Sequence, residues 1–151
     1  MMIWLLCIVS VNFSANEDRS LRSAQTYWNR RGVREVRVCM DVGARARQKG
    51  LVEIEAISIS HTETRHRHRL TSSAGAKGPM QAMLKYWGRD TDRDYIDAGV
   101  RAWAYYRARS QSFREAAGKY NGGGKRSAYA REATKHYRAL EALKKGLRHE
   151  R

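Results

Sequence analysis

The sequence has little proline, little cysteine and few stretches in which apolar and polar residues alternate. Because the 151 residues include a single proline and strand-like alternation is scarce, the chain is predicted to be all-α. Its two cysteines, Cys7 and Cys39, provide no disulfide framework and leave the redox compartment open. The apolar run at the start of the chain is shorter than the roughly 20 residues that a membrane-spanning helix needs. These scarcities exclude a disulfide-stapled scaffold and a spanning helix.

Acidic residues are also scarce relative to basic ones. The chain carries 30 Lys and Arg against 15 Asp and Glu, a net charge of +15, and such a surface attracts polyanions through its summed potential. Cell-wall polymers, acidic lipid headgroups and nucleic acid are the candidates. Four Trp, eight Tyr and a hydrophobic fraction of 42% exclude a purely disordered basic tail. The length fits one domain.

Residues 1–15 form a short apolar run, which a polar and basic connector joins to residue 32. The length of the run suits the core of a signal peptide, with Ser14 and Ala15 as small residues for cleavage. Cleavage there would leave Cys39 alone. The alternative is a hydrophobic arm that packs on this chain or on another subunit. We therefore divide the sequence into a signal-like or anchoring segment, 1–32, and a helical domain, 33–151, with export favoured.

Helical periodicity recurs through the second segment, with breaks at glycine-containing turns. The segment from 51 to 62 carries apolar residues on more than one face, which predicts a helix buried inside the domain. Its Ile and Val residues would also suit a strand, but the length and the lack of clean alternation favour the helix. A short helix is placed from Pro79, because proline is tolerated at the first helical position, and Thr91 with Asp94 has capping-box spacing. Further helices are predicted over 33–48, around 96–106, over 113–120 and from about 127 onward.

Glu63 stands at the end of the Ile-rich segment and is followed by a basic run, 65–69. Cleavage of a glycosidic bond needs a carboxylic acid that is still protonated near neutral pH. Burial against apolar groups raises the pKa of a glutamate, whereas Arg65, Arg67 and Arg69 favour the ionised form unless they point outward. Glu63 is therefore a candidate general acid, although its position alone also fits an ordinary glutamate at a helix end.

No Asp or Glu occurs in the two other segments expected to line such a cleft, 75–81 and 120–124. Most glycosidases use two carboxylates, but substrate-assisted enzymes are an exception. In those enzymes, the N-acetyl group of the substrate takes the part of the nucleophile. A sugar-cleaving site on this chain would therefore use a single acid, Glu63.

Three separated motifs stand in a fixed order along the chain. They are Glu63-Thr64, then Gly75-Ala76-Lys77-Gly78-Pro79-Met80-Gln81, then Lys119-Tyr120-Asn121-Gly122-Gly123, with Tyr137 further on. Together they resemble the soluble lytic transglycosylases, a lysozyme-like family, and Lys85-Tyr86-Trp87 is similar to its bacteriophage members. The resemblance covers about residues 33–140. Thr64 stands where the family usually has serine, and the usual proline after the Met-Gln pair is absent.

The resemblance implies a lysozyme-like helical domain with a cleft between helices, preceded here by the short apolar segment. In the family, the residue that matches Glu63 protonates the glycosidic oxygen between N-acetylmuramic acid and N-acetylglucosamine. It then acts as a base on the muramoyl C6 hydroxyl and leaves a 1,6-anhydro end. The resemblance also implies that Tyr137 approaches this carboxylate from the last helix. The implied substrate-binding residues are Thr64, Met80, Gln81, Tyr120, Asn121 and Tyr137.

The same resemblance implies no cofactor and no metal. Peptidoglycan glycan strands are the implied substrate, with anionic wall polymers or other phage virion proteins as further partners. The place of action would be the periplasm or cell wall, reached by export or from a phage virion. No specific nucleic acid is expected as a partner, and membrane contact is expected only through an uncleaved N-terminal segment.

Other functions find less support among the residues. Residues 118–127 do not form a phosphate loop, because the Gly–Lys spacing is wrong and Arg126 stands where Ser or Thr belongs. His61, His66, His68 and His136 lack the spacing of a zinc site. Two alternatives stay open: a hydrolytic lysozyme, and a non-enzymatic basic protein on the same fold that binds wall polymers or nucleic acid.

Overall fold

The computed structural model describes residues 2–17, 32–89 and 95–149, and over 13–17 the backbone alone. This part of the chain is mostly helical, with seven helices and two very short strands, which confirms the all-α prediction. The strands are β1 (Ala76–Lys77) and β2 (Ala82–Met83), paired antiparallel. The helices are α1 (Met2–Glu17), α2 (Val33–Gln48), α3 (Glu53–Thr64), α4 (Leu84–Trp87), α5 (Ile96–Ala108), α6 (Phe113–Asn121) and α7 (Ala128–His149).

The prediction of a helix from Pro79 is wrong. Residues 78–81 instead form the loop of the β1–β2 hairpin, and α4 begins only at Leu84. The physical reason is the backbone: Gly78 and Gln81 have φ values of 79° and 51°, in the left-handed region that a right-handed helix excludes. The capping box at Thr91 and Asp94 and the connector over 18–31 lie outside the described residues.

Helix α3 occupies the centre of the domain. Every residue from Ile54 to His61 is buried, so the helix packs on all sides, as its mixed apolar faces predict. It contacts α1, α2 and α7. The one buried acid in this stretch, Glu55, is paired with Arg107 of α5, with Nε 2.9 Å from Oε2. This ion pair supplies the compensation that a buried carboxylate requires.

Two clusters of buried side chains lie on different faces of α3. Ala56 and Ile59 belong to the cluster that also holds Met80, Trp103 and Phe113. The second cluster joins α3 to α1, α2 and α7, and its buried members are Leu6, Cys7, Val11, Val36, Cys39, Ile54, Ile57 and Leu140. The helix that carries Glu63 in its last turn is therefore held by the core from both sides.

Helix α1 is part of this core. Leu6, Cys7 and Val11 are each at most 1% exposed, and α1 packs against α2, α3 and α7. A disulfide links Cys7 to Cys39 of α2, a bridge that two cysteines alone did not require. Within the described residues, no helix combines the length and the apolar character needed to cross a membrane. Of the two sequence-based readings of 1–15, the contacts favour an arm packed on this chain.

Three buried histidines connect α1, α3 and α7. The hydroxyl of Ser10 on α1 lies 2.6 Å from Nε2 of His66 and 3.0 Å from Nε2 of His136. The other ring nitrogen of His66, Nδ1, lies 2.8 Å from the hydroxyl of Ser60. The rings of His61 and His136 stack with centroids 3.8 Å apart. Throughout 2–17, 32–89 and 95–149, no group of three or more His, Cys, Asp or Glu side chains is placed to hold a metal ion.

Candidate active site

Glu63 lies in the last turn of α3, where the helix leaves the core, and it is partly exposed. Its Oε1 accepts a hydrogen bond of 2.8 Å from the hydroxyl of Tyr129. Burial raises the pKa of Glu63 from its ordinary 4.5 to about 7, although the Tyr129 hydrogen bond lowers it. A carboxyl group with this pKa can donate a proton near neutral pH and take one back.

The hairpin loop over residues 78–81 is held beside Glu63 by two hydroxyl groups. Thr64 donates to the carbonyl of Pro79 at 2.8 Å, and Tyr120 donates to the carbonyl of Met80 at 2.6 Å. The charge of Glu63 contributes to raising the pKa of Tyr120, after the larger effect of burial. The three sequence motifs therefore meet in space at the exposed end of α3.

Two of the residues predicted to bind substrate are structural. Met80 is fully buried and packs on Gly99 of α5, where an added Cβ would lie 2.6 Å from the Cβ of Met80. Thr64 is 2% exposed, and its hydroxyl is engaged by the Pro79 carbonyl. Both side chains support the loop, and their burial argues against direct contact with a substrate.

The other predicted contacts are partly or fully exposed. Gln81 is partly exposed, and its amide donates to the carbonyls of Leu70 at 3.0 Å and Gly78 at 2.9 Å. Asn121 is exposed at the last position of α6. Tyr120, the residue before it, is partly exposed. These three side chains stay candidates for contact with a substrate.

Tyr129 donates a hydrogen bond to Glu63, whereas the family resemblance implies Tyr137 in this position. The hydroxyl of Tyr137 donates to Glu141 at 3.3 Å, and its ring stacks on Phe113 with centroids 4.5 Å apart. The phenol that reaches Glu63 therefore comes from the first turn of α7. The sequence feature that could have indicated Tyr129 is the glycine-rich loop, 122–124. This loop brings the start of α7 back beside Tyr120.

Two of the three arginines after α3 act on a second acid, Glu35. Arg67 and Arg65 lower the pKa of Glu35 on α2, while the larger effect of burial raises that pKa from 4.5 to about 7. Arg67 also donates from Nε to the carbonyl of Thr64 at 2.9 Å. At Glu63 itself, burial is the largest cause of the pKa shift.

A series of exposed or partly exposed aromatic rings extends from the candidate site across α5 to α4. Tyr106 lies 5.9 Å from Tyr120 and 6.0 Å from Trp87, centroid to centroid. Tyr105, at 5.2 Å from Trp87, extends the series toward the surface, and Arg109 covers its ring at 3.6 Å. We call Tyr120, Tyr106, Trp87 and Tyr105 the aromatic series. Such rings offer apolar faces on which flat ligands can stack.

No family model, no curated protein and no solved structure matches this chain. The candidate site is therefore defined by its own geometry: a partly exposed acid with a raised pKa, a phenol that donates to it, a pinned loop and the aromatic series. This arrangement can transfer a proton to and from a bound ligand. The transglycosylase resemblance stays an expectation from the motifs.

The three buried histidines make the stability of the fold sensitive to acid. Burial lowers the pKa of His61 from 6.5 to about 4 and that of His136 to about 3. It also lowers the pKa of His66 well below 6.5. Below pH 6.5, the unfolded chain binds these protons and the folded chain does not. The stability from this source is therefore complete above pH 6.5 and declines as the pH falls.

Glu35 and Glu63 act in the opposite direction. Because burial raises both pKa values from 4.5 to about 7, the folded chain binds their protons first, and stability rises as the pH falls from about 7 to 4.5. Each group changes the free energy of unfolding by about 1.4 kcal/mol per pH unit. Because three histidines oppose two glutamates, we expect a net loss of stability as the pH falls from about 6.5 to 4.5.

We expect urea titrations at about pH 6.5, 5.5 and 4.5 to show this loss in the free energy of unfolding. Glu63→Gln removes one opposing group, so its loss per pH unit should be larger than that of the unchanged chain. Glu132→Gln, which changes an exposed acid of α7, is the matched control and should keep the original slope. A free energy that is constant or rises on acidification would contradict neutral histidines in the folded chain.

Proposed function

We propose that this chain is a peptidoglycan lytic transglycosylase with a lysozyme-like fold, in which Glu63 is the acid and base. The observation that carries the proposal is the environment of Glu63, a partly exposed carboxyl group whose pKa burial raises to about 7. General acid catalysis works best when the pKa of the acid lies near the working pH. The meeting of Glu63, the 78–81 loop and Tyr120 adds support, because the family motifs would form one cleft.

In the proposed mechanism, Glu63 protonates the glycosidic oxygen as the bond from C1 of N-acetylmuramic acid breaks. The oxygen of the substrate's N-acetyl group bonds to C1 in place of an enzyme nucleophile. The Glu63 carboxylate then takes the proton of the C6 hydroxyl, whose oxygen attacks C1 and releases the N-acetyl oxygen. The proton has returned to Glu63, and the product is a 1,6-anhydro end.

A single carboxylate suits this mechanism. In the part of the chain that the structure describes, Glu63 is the acid whose charge raises the pKa of both Tyr120 and Tyr129. Glu55, the other acid of α3 near the core, is engaged by Arg107. A hydrolase that used two carboxylates would need a partner acid facing Glu63.

The products of digestion test the proposal. Purified peptidoglycan is incubated with the protein, and the released muropeptides are weighed by mass spectrometry. We expect 1,6-anhydro ends, which are lighter than reducing ends by one water. Reducing ends would favour the hydrolytic lysozyme instead. Intact glycan strands, together with binding to the wall, would favour the non-enzymatic basic protein that the net charge of +15 suggests.

The aromatic series gives a second test. If sugar rings stack on Trp87, Trp87→Ala should raise KM by about two- to tenfold and leave kcat unchanged, because one aromatic contact contributes about 0.5–1.5 kcal/mol. Tyr86→Ala is the matched control: Tyr86 is 70% exposed on the same helix and does not belong to the series. An equal change of KM in both variants would contradict stacking on Trp87.

A further inference from the structure

A cavity on the side of α2 has a lining that does not include Glu63, the 78–81 loop or Tyr120. Its volume is about 560 Å³, and it is bounded by the first turns of α2 and by the segment that follows α3. That segment turns toward α2 because Arg65 and His66 have φ values of 54° and 64°. Two successive residues other than glycine in this region are uncommon and indicate a backbone held by its surroundings.

Four arginines line this cavity, two from each wall. Arg34 and Arg37 come from α2, and Arg67 and Arg69 come from the segment after α3. All four are exposed, and the ion pairs found among the described residues involve other arginines. Guanidinium groups bind phosphate and carboxylate oxygens in pairs, with a fixed planar geometry. The walls therefore present donors suited to an oxyanion.

Glu35 lies among these cations without a hydrogen-bond partner. It lines the cavity, it is 5% exposed, and its buried Oε2 has no partner. A buried polar atom without a partner is costly and calls for an explanation. Burial raises the pKa of Glu35 to about 7, so the carboxyl group can carry a proton and donate it in a hydrogen bond. Because Glu35 lines the cavity, an anion bound against its carboxyl group could accept that hydrogen bond.

We propose that this cavity binds a phosphate group, with the arginines as charged donors and the Glu35 carboxyl as a neutral donor. Asp41 also lines the cavity, and its carboxylate can accept a hydrogen bond from a hydroxyl of the molecule that carries the phosphate. The site is separate from Glu63 and does not depend on the proposed cleavage activity.

The test compares two double variants that remove the same charge. Arg34→Gln/Arg37→Gln changes this cavity, whereas Arg131→Gln/Arg138→Gln changes a second cationic cavity of about 340 Å³, which is lined by no acid. Titration calorimetry with inorganic phosphate is run against chloride at equal ionic strength. We expect the first variant to weaken phosphate binding at least tenfold, from the loss of charge-assisted bonds, and the second to change it by less than about twofold.

Two outcomes would overturn the proposal. One is equal weakening by both double variants, which would mean attraction to the overall charge. The other is phosphate binding no tighter than chloride binding to the unchanged chain. Circular dichroism and thermal unfolding of each variant establish that it is folded before its affinity is compared.

Glu35→Gln tests the neutral donor directly, since the amide keeps the shape and a donor but cannot ionise. We expect phosphate affinity within about threefold of that of the unchanged chain, and a tenfold loss would contradict the proposal.

Titration with a glycerol phosphodiester identifies the kind of molecule that carries the phosphate group. Binding of inorganic phosphate alone indicates a free phosphate or monoester, and equal binding of the diester indicates phosphate carried in a polymer.

Discussion

Glu63→Gln is expected to lower the rate of peptidoglycan cleavage by about 10²–10⁴-fold, the usual contribution of a general acid. Glutamine keeps the shape of the side chain and can still accept the hydrogen bond from Tyr129, but it has no proton to give to the glycosidic oxygen. The loss should therefore fall on kcat, with KM changed little. The measurement is the rate of muropeptide release from purified peptidoglycan over a range of substrate concentrations.

Two comparisons make this result specific. Glu132→Gln removes an exposed acid of α7 and should retain full activity. Tyr129→Phe removes the hydrogen bond that lowers the pKa of Glu63, so the pH above which activity is lost should move upward, whereas Tyr137→Phe should leave it in place. Activity of Glu63→Gln within tenfold of the unchanged chain would reject Glu63 as the acid.

The helices could be predicted because they depend on local patterns. The spacing of apolar residues gave α2 with its bounds, and the mixed faces of residues 51–62 indicated that α3 is buried. The hairpin could not be predicted in the same way. Gln81 adopts its left-handed backbone in a loop that is held by Thr64 and Tyr120, and these residues are distant in sequence. The local rule for proline at a helix start was therefore overridden by tertiary contacts.

The candidate site, too, could be predicted only in part from local sequence patterns. Glu63 could be proposed from sequence because it ends an apolar segment, and a raised pKa follows from burial. The choice between Tyr129 and Tyr137 depends on where α7 begins relative to α6. That position is set by the glycine-rich loop: Gly124 donates to the carbonyl of Gly118 at 3.1 Å and packs against it. Periodicity along one helix carries no information about such a contact.

The role of the N-terminal segment was the least accessible from sequence. The disulfide joins cysteines 32 residues apart, and Ser10 meets histidines 56 and 126 residues away. An apolar run of this length fits a signal peptide and a core helix equally well. The distinction lies in what the run contacts, and α1 contacts α2, α3 and α7. Cleavage after Ala15 would therefore remove a piece of the core and one half of the disulfide.

Deletion of residues 1–17 is expected to unfold most of the chain at 37 °C. Burial of Leu6, Cys7 and Val11 contributes about 1.5–3 kcal/mol for each large apolar side chain, and the disulfide contributes about 2–4 kcal/mol. Loss of Ser10 also leaves the ring nitrogens of His66 and His136 without this partner. Together these losses are comparable with the roughly 5–15 kcal/mol by which a domain is stable. Circular dichroism and thermal unfolding of the shortened chain measure the effect.

Cys7→Ala/Cys39→Ala separates the disulfide from the packing of α1 and adds no buried polar group. This variant keeps the helix on the core, so it should fold and lose only about 2–4 kcal/mol of stability. If the shortened chain unfolds cooperatively and within about 2 kcal/mol of the full chain, α1 is dispensable, and removal of the segment during export is compatible with a folded domain. If it fails to fold while the double cysteine variant folds, the apolar run is a structural helix of the domain.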